Sequence, residues 1–531
     1  MGQSMKNTVF DQKESAGFFG VLMCGLAFGA GFLTPAFAQT NPDTNFGAYA
    51  PVSEPRFGEA VLKQQDGLLI LDYQNIQLPD SEEIDLIGYH ILTPINDWAY
   101  FGLGGYAPFL KGEFGGFMAF GVLAHAQPKI TDNMFATAGL SFGGGGGGRS
   151  VTQSVALSGT GGYVRGYLGL GYDFGPFSAG ANISYMEFFK SAINNTQLNF
   201  FIQKPFLYET GAYGNSGNRF SAVPPSSRGG FGSMVSFGLD NYVQIDPVGS
   251  YKGVINAVDL QYSNFMLKNS YWYYALGVGY KGLPIYNQVI AGVGTRAALF
   301  ERVRLYGQLG LGSGGYAPTL IDTGSGLLLY PKMSAEYLIS DNVGISLTAG
   351  YSFALDGTAK NFTFGAGLNS YFGTANSQKG TAELSQGQYR GYRFSLSHET
   401  VVNLSFNDVS LADLNMLTIQ GEKIVTDNFY IPLRAAISYQ SYRGYPGYGE
   451  ISAGIGVQNS YTTGDTVQVF GDVQIGANVQ GAIVRYTIGL DYALSEDLAL
   501  RASVGQTFGD ERFRATHIGL GLTRRFSLLN L

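Results

Sequence analysis

Residues 339–355, with the sequence ISDNVGISLTAGYSFAL, combine a polar turn with a strictly alternating segment. Asp and Asn reverse a chain readily, because their side chains hydrogen-bond the nearby backbone and tolerate positive φ. After the turn, the apolar residues from Val343 to Leu355 fall on one side, and small polar residues such as Ser346 and Thr348 fall on the other. The segment therefore predicts a β-hairpin leading into a strand with one apolar face.

The same kind of turn recurs along the chain, each time between two alternating segments: Ile130-Thr131-Asp132-Asn133, Val425-Thr426-Asp427-Asn428 and Leu494-Ser495-Glu496-Asp497. Strands of about eleven residues, tilted by about 45°, are long enough to cross a bilayer. A soluble β-sandwich would also alternate, but it would place charged residues on its polar face. Here that face is mostly Gly, Ser, Thr and Asn, so we expect an all-β fold, a transmembrane antiparallel up-and-down β-barrel.

The N-terminus has the pattern of a secretory signal peptide. Lys6 and Lys13 precede an apolar run over 16–33, and Ala36-Phe37-Ala38 follows it. A basic start, an apolar core and an Ala-x-Ala exit predict a signal peptide over 1–38, and an uncleaved signal anchor is the alternative. We expect 39–66 to be a periplasmic segment. Cys24 is the one cysteine, so the mature chain would contain no disulfide and no thiolate metal site.

The composition fits a membrane barrel and excludes some partners. The chain has 77 Gly, 35 Tyr and 38 Phe, whereas charged residues make up 13% and the net charge is −7. Glycine suits strongly coiled strands, and aromatic residues suit the two membrane interfaces. No basic run is present, so a nucleic-acid partner is not expected.

Internal repetition indicates about three tandem units. A Gly-Tyr motif recurs in each of them, at Gly105-Tyr106-Ala107-Pro108, Gly315-Tyr316-Ala317-Pro318 and Gly444-Tyr445-Pro446-Gly447. Turn signals and alternation give about eight strands per unit, over roughly 67–206, 229–373 and 388–526, and about 24 (22–26) strands in all within 67–531. This count places the short turns at one end of the strands and the Gly-Tyr loops at the other. Both termini would then be periplasmic.

Two closures are compatible with these units: one wide barrel, or three small eight-stranded barrels in series. The interior of an eight-stranded barrel is filled by side chains, whereas a wide barrel holds water or a plug. The inward positions are dominated by Gly, Ser and Thr, which fill little space, so the pattern favours one wide barrel. In that barrel the first strand would pair with the last.

Three local motifs match signatures of nucleotide-binding proteins or enzymes, but none has the context that its function would need. Residues 143–150 imitate a phosphate-binding loop, but Arg149 replaces the required Lys and no helical pattern follows, so a flexible loop is expected. Residues 310–315 match a dinucleotide fingerprint by spacing alone. Ser397-His398-Glu399 is the best catalytic triplet, and a polar cluster at a strand end is the simpler interpretation. We therefore expect no enzyme activity, no cofactor and no metal.

The remaining candidates for a functional role are the charged residues predicted to face the lumen. Alternation places ten on the lumen side: Arg165, Asp173, Arg296, Arg304, Lys332, Glu336, Asp472, Arg485, Asp491 and Arg501. They could orient a polar or anionic solute through bidentate Arg contacts. Alternatively, opposite charges on neighbouring strands neutralise one another, as in Arg485 with Asp472 and Asp491.

From Leu68 to Phe526 the chain resembles Gram-negative outer-membrane β-barrels of the porin and exporter class, through its signal peptide, alternation and Asp-Asn turns. In this class the chain often ends on an aromatic residue, whereas here five residues follow Phe526. The resemblance implies contact with outer-membrane lipid, lipopolysaccharide and the barrel-assembly machinery. The architecture itself, a wide barrel with a polar lumen of small residues, predicts a conduit for polar solutes or for export of a polymer. A structural or adhesive surface barrel is the alternative, and a barrel hydrolase is favoured less.

Overall fold

The computed structural model describes residues 58–59, 63–78, 82–148, 151–222, 233–284, 286–340, 343–372, 387–459 and 466–530. The expected signal peptide and most of the expected periplasmic segment lie outside these ranges. Within them, strands predominate and one α-helix occurs, α1 (Val151–Ser158). None of the described helices is long and apolar enough to span a membrane. How the strands pair therefore decides the architecture.

The first eight-stranded barrel follows a two-residue strand, β1 (Gly58–Glu59). Strand β2 pairs antiparallel with β9, with Leu71 opposite Ile202, and this pairing closes the ring. Because β2 begins at Lys63, the last four residues of the expected periplasmic segment belong to the barrel instead. The strands are β2 (Lys63–Gln77), β3 (Glu83–Pro94), β4 (Ala99–Pro108), β5 (Met118–Ala126), β6 (Met134–Gly146), β7 (Gly162–Asp173), β8 (Ser178–Phe188) and β9 (Asn194–Thr210).

The second barrel follows a short connecting strand, β10 (Arg219–Ala222). Its first and last strands pair antiparallel, with Phe237 opposite Leu368. The strands are β11 (Ser233–Gln244), β12 (Ile255–Phe265), β13 (Ser270–Lys281), β14 (Asn287–Phe300), β15 (Val303–Gly315), β16 (Leu327–Ser340), β17 (Val343–Ala354) and β18 (Lys360–Phe372).

The third barrel is closed by β19 and β27, with Leu396 opposite Leu522. A two-residue strand, β20, folds back onto the end of β19 and is not part of the ring. The strands are β19 (Gly387–Phe406), β20 (Val409–Ser410), β21 (Leu414–Thr426), β22 (Phe429–Ser438), β23 (Gly449–Gln458), β24 (Val467–Asn478), β25 (Gly481–Ala493), β26 (Leu498–Gly509) and β27 (Phe513–Asn530).

The prediction of an antiparallel barrel fold with about 24 strands in three eight-stranded units is confirmed, but the preference for one wide barrel was wrong. Each unit closes on itself, so the alternative of three small barrels is the observed one. The preference failed because it counted the small inward residues and overlooked the large ones. Arg165, Tyr242 and Arg485 are fully buried, and side chains of this size fill an eight-stranded interior.

The short turns and the Gly-Tyr loops lie at opposite ends of the barrels, which we call the turn end and the loop end. In three of the turns a hydroxyl accepts a hydrogen bond from the first amide of the next strand, 3.0 Å from Met134 N to Thr131 Oγ1, 3.2 Å from Phe429 N to Thr426 Oγ1 and 3.2 Å from Leu498 N to Ser495 Oγ. The Ser or Thr before the acidic residue therefore contributes directly to the reversal. In the fourth turn, Asp341 and Asn342 lie outside the described residues.

Each barrel exposes rows of large apolar side chains on its outer face. Leu168, Leu347 and Ile475, one from each barrel, are 70%, 69% and 67% exposed. Exposed apolar surface of this extent is unusual for a soluble protein and matches the lipid-facing belt of a membrane barrel. The barrels therefore span a bilayer with these rows toward lipid.

Other outer faces are buried because the barrels pack against one another. Tyr89, Leu276 and Ile437 come from the three barrels in turn, point outward by alternation, and belong to one buried apolar cluster. At the loop end, backbones come close: Gly115 N donates to Gly324 O at 3.0 Å, joining the first and second barrels. The three barrels therefore form one packed body.

The glycine run expected to be a flexible loop has a packing role instead. Gly143 to Gly146 end strand β6, and helix α1 follows, although no helix was expected there. A Cβ at Gly144 would lie 2.3 Å from Ser438 O of the third barrel. The run is therefore built into the seam between the first and third barrels, because only glycine permits this approach.

We expect Leu347→Arg to destabilise the protein by about 2–4 kcal/mol, because the charge would have no partner in hydrocarbon. Leu355→Arg is the matched control, since Leu355 follows the same strand at the loop end and is 49% exposed. Its cost should be about 0–1 kcal/mol near the interface. Denaturant unfolding of protein in lipid vesicles measures both, and equal losses would contradict a lipid-facing position for Leu347.

Candidate functional site in the barrel lumens

Nine of the ten inward charges predicted from the sequence lie buried in the lumens. They are Arg165 in the first barrel, Arg296, Arg304, Lys332 and Glu336 in the second, and Asp472, Arg485, Asp491 and Arg501 in the third. Asp173 is the exception. It is exposed at the last position of β7, where its Oδ1 accepts a hydrogen bond from Gly175 N at 2.8 Å. The strand ends there, so this carboxylate shapes a turn.

In the first barrel, Arg165 forms a buried ion pair with Asp72. Arg165 Nη1 lies 2.6 Å from Asp72 Oδ2 and 2.9 Å from Tyr106 Oη. Its guanidinium also lies 4.6 Å from the ring centroid of Tyr167. His90 Nε2 approaches the same carboxylate at 3.5 Å. The central layer of this lumen is therefore an arginine enclosed by a carboxylate and aromatic rings.

Apolar clusters close the first lumen on both sides of that layer. Toward the loop end, Leu157 of helix α1 packs with Phe117 and Phe188. Toward the turn end, Leu68 and Phe201 belong to a second buried cluster. The side chains of this barrel therefore fill its interior over most of its height.

The second barrel pairs its inward lysine with two aspartates. Lys332 Nζ lies 2.9 Å from Asp240 Oδ2 and 3.6 Å from Asp259 Oδ1. Thr348 Oγ1 donates to the other oxygen of Asp240 at 3.1 Å. Alternation places position 348 on the lumen wall and would by itself predict that Thr348→Arg is tolerated. Because Thr348 contacts Asp240 within a packed ionic layer, the substitution would disturb that layer.

Glu336 and the two arginines occupy the turn-end half of the second lumen. Glu336 accepts hydrogen bonds from the hydroxyls of Tyr306 and Tyr371, the former at 2.8 Å. Arg296 Nη2 donates to Lys268 O at 3.0 Å, and the Arg304 guanidinium lies 5.7 Å from the Tyr371 ring centroid. Aromatic and backbone groups thus surround these charges.

A small cavity remains beside Lys332 in the second lumen. Its volume is about 40 Å³, and its lining includes Asp259, Thr348 and two inward glycines, Gly238 and Gly367. The glycines leave space that a side chain would otherwise fill. A polar cavity of this size has room for about three water molecules. It is too small for a sugar or a peptide.

The third barrel contains two ionic clusters, one above the other. In the cluster nearer the loop end, Arg434 contacts Glu399 at 2.6 Å and Glu450 at 2.8 Å, and Arg485 lies 3.2 Å from Glu399. His517 adds a contact of 3.4 Å to Glu399. Two arginines therefore balance two glutamates in this cluster.

The cluster nearer the turn end contains two arginines, Arg393 and Arg501, and three carboxylates. Glu422 accepts from Arg393 and from Arg501, whose Nη1 lies 2.6 Å away. Arg501 also contacts Asp491, its cross-strand neighbour, at 2.7 Å. Asp472 is held by the Tyr430 hydroxyl at 3.0 Å. Pairing of opposite charges, rather than a row of free arginines, organises this lumen.

The sequence-based pairing of Arg485 with Asp472 and Asp491 identified the type of interaction but not the partners. Arg485 contacts glutamates from β19 and β23, whereas Asp491 contacts Arg501. The partners that were missed are Asp72, Asp240, Asp259, Arg393, Glu399, Glu422, Arg434 and Glu450. All of them follow the same alternation, so extending it to every strand would have found them. Contacts across a lumen, however, are set by barrel closure.

The side chains of the triplet Ser397-His398-Glu399 lie on opposite faces of β19. Glu399 points into the lumen, whereas His398 lies on the opposite face, 2.8 Å from the Tyr439 hydroxyl. Successive strand residues face opposite sides, so the three side chains do not converge on one site. Among the described residues, no group of three or more His, Cys, Asp or Glu is placed to hold a metal ion.

No family model and no curated protein matches the sequence. Solved barrels resemble it weakly. Neisserial surface protein A has 12% identity and a TM-score of 0.21, covering 25% of this chain and 96% of that protein. The outer membrane protein Ail of Yersinia pestis has 14% identity and a TM-score of 0.19, covering 26% and 99%. The ferric enterobactin receptor of Pseudomonas aeruginosa has 10% identity and a TM-score of 0.28, covering 88% and 82%. Likeness at this level is no evidence of a shared function.

We expect Glu422→Gln to destabilise the protein by about 3–5 kcal/mol, because removing this charge leaves two buried arginines short of a partner. Glu83→Gln is the matched control. Glu83 forms an exposed pair with Lys111 at the rim, and its loss should change stability little. The free energy of unfolding in lipid vesicles distinguishes them, and a Glu422→Gln protein as stable as the control would show that the lumen charges are not coupled to folding.

Proposed function

We propose that this chain is an outer-membrane structural or surface protein, and that its barrels anchor a joined set of loops rather than conduct solutes. The observation that carries the proposal is the filling of all three lumens by paired charges, tyrosines and apolar side chains. A diffusion pore needs a continuous aqueous path, and small eight-stranded barrels whose side chains meet across the axis do not provide one.

An outer-membrane location rests on the strands themselves. The apolar rows fit the hydrocarbon region, and closed rings leave no strand edge in lipid. The expected signal peptide over 1–38 would direct export across the inner membrane. The partners that follow from this location are lipid, lipopolysaccharide and the barrel-assembly machinery. The longer loops would face outward, as they generally do in this class.

The loop end supports a surface role because loops of different barrels contact one another there. Ser325 Oγ of the second barrel donates to Phe109 O of the first at 2.9 Å, and Asn287 Nδ2 donates to Gly116 O at 3.0 Å. A Cβ at Gly161 of the first barrel would lie 3.2 Å from Pro446 of the third. Three loop sets held in fixed relation present one broad surface, which suits recognition of a partner or an adhesive contact.

The expected conduit for polar solutes or an exported polymer would require these lumens to open. The cavity of about 40 Å³ beside Lys332 in the second lumen is on the scale of water and does not provide such an opening. A barrel hydrolase would need a convergent nucleophile and base, which Ser397 and His398 do not form, since they lie on opposite faces of β19.

Liposome swelling with arabinose, together with single-channel recording in planar bilayers, tests this proposal. Purified protein reconstituted into vesicles should cause no swelling and no stepwise conductance comparable to that of a water-filled porin measured in the same vesicles. Heat-dependent gel mobility of the same sample would verify that the barrels are folded. Swelling at the rate of the porin control would overturn the surface role in favour of a conduit.

A further inference from the structure

The segment that leaves the first barrel, residues 211–222, lies against the third barrel. We call this segment the connector. Gly211 N donates to Ser527 O at 2.8 Å, and Ser527 N donates back to Gly211 O at 2.9 Å. Ser527 Oγ also donates to Ala212 O at 2.7 Å. The connector is thus hydrogen-bonded to β27, the last strand of the third barrel, although the second barrel lies between them in the sequence.

The connector then crosses to β19, the first strand of the same barrel. Gly217 N donates to Tyr389 O at 2.8 Å, and Tyr389 N donates to Asn218 O at 2.9 Å. Beyond this point, β10 pairs antiparallel with Gln388 and Gly387. Because β19 and β27 form the pair that closes the third ring, the connector is bonded to both sides of the closing seam.

Between these two attachments, Tyr213 enters the turn-end mouth of the third lumen. It begins a 3-10 turn, Tyr213–Asn215, and is 4% exposed. Its ring packs with Ile424, Tyr430 and Phe470, which point into the lumen. The Arg525 guanidinium lies 5.5 Å from its ring centroid. Burial raises the pKa of the Tyr213 hydroxyl above its ordinary value, so the group stays neutral.

We propose that the connector is an intramolecular clasp, in which Tyr213 seals the turn-end mouth of the third barrel and the flanking backbone holds its closing strands together. The turn ends of β19 and β27 therefore reach their native structure only when the connector is docked. The closing seam and mouth of the third barrel thus bind a segment of the same chain, in which an aromatic residue is flanked by backbone that forms the hydrogen bonds. This docking makes the stability of the third barrel depend on residues about 170 positions away from β19.

A short segment is enough to hold the closing seam because the connector docks within the same chain. The connector is covalently joined to the first barrel, which already packs against the third, so docking is intramolecular and the effective concentration of the segment is high. The backbone amides of Tyr389 and Ser527 both donate across this contact, to Asn218 O and Gly211 O at 2.9 Å each. Their exchange with solvent reports directly on whether the clasp is closed.

Hydrogen exchange followed by mass spectrometry, on the full chain in lipid nanodiscs, tests the clasp. Tyr213→Ala should accelerate exchange about tenfold in peptides covering 387–393 and 524–530, which corresponds to about 1.4 kcal/mol of local stability. Exchange in peptides covering 449–457 of β23 should stay unchanged, because β23 pairs with ring strands on both sides and has no residue in the Tyr213 cluster. Tyr213→Phe retains the ring and should match the wild type.

Tyr251→Ala is the matched control, since Tyr251 lies in a loop-end segment of the second barrel and donates to Val254 O at 2.9 Å. It should leave both seam peptides unchanged. Ser527→Ala, which removes the bond to Ala212 O, provides a milder variant if Tyr213→Ala does not fold, and should accelerate the same peptides. Unchanged seam exchange in a folded variant, or acceleration spread evenly over the third barrel, would overturn the clasp.

Discussion

The narrowness of an eight-stranded ring is the constraint on which the rest of this structure depends. Side chains of opposite walls meet across the axis, so every inward charge must find a partner inside the same ring. Arg165 with Asp72, Lys332 with Asp240, and Arg434 with Glu399 satisfy this requirement in the three barrels. Because the charges are paired across the axis, the lumens are polar and yet filled by side chains. A polar inner wall is therefore compatible with a barrel that has no open channel.

Under the proposed surface role, the same constraint places partner contacts at the ends of the barrels. Because the lumens are filled by their own side chains, the loop end is the surface that this role would use, and contacts between loops of different barrels hold that surface together. The turn end is joined differently, because the connector crosses the closing seam of the third barrel and Tyr213 occupies its mouth. Contacts at both ends therefore hold the three rings in one body, although no strand is shared between rings.

Alternation and turn chemistry predicted much of the fold, including the hairpin around residue 340, the outward direction of Leu347 and the three eight-stranded units. The closure could not be predicted, since it depends on which distant strands meet, and the small residues suggested a wider ring than the one observed. For the lumen charges, alternation gave direction but not partners. Arg485 points inward as expected and contacts Glu399, which is 86 positions away. The connector carries no pattern of its own, so its docking was not predictable.

Three separately closed rings with side chains packed across each axis are the central claim. Cryo-electron microscopy of the full chain in lipid nanodiscs, at a resolution that separates strands, tests it most directly. The predicted map contains three eight-stranded rings in contact, with continuous side-chain density across each lumen and density for Tyr213 in the mouth of the third. A single wide ring, in which β2 lies beside β27 around a solvent-filled interior, would contradict this account.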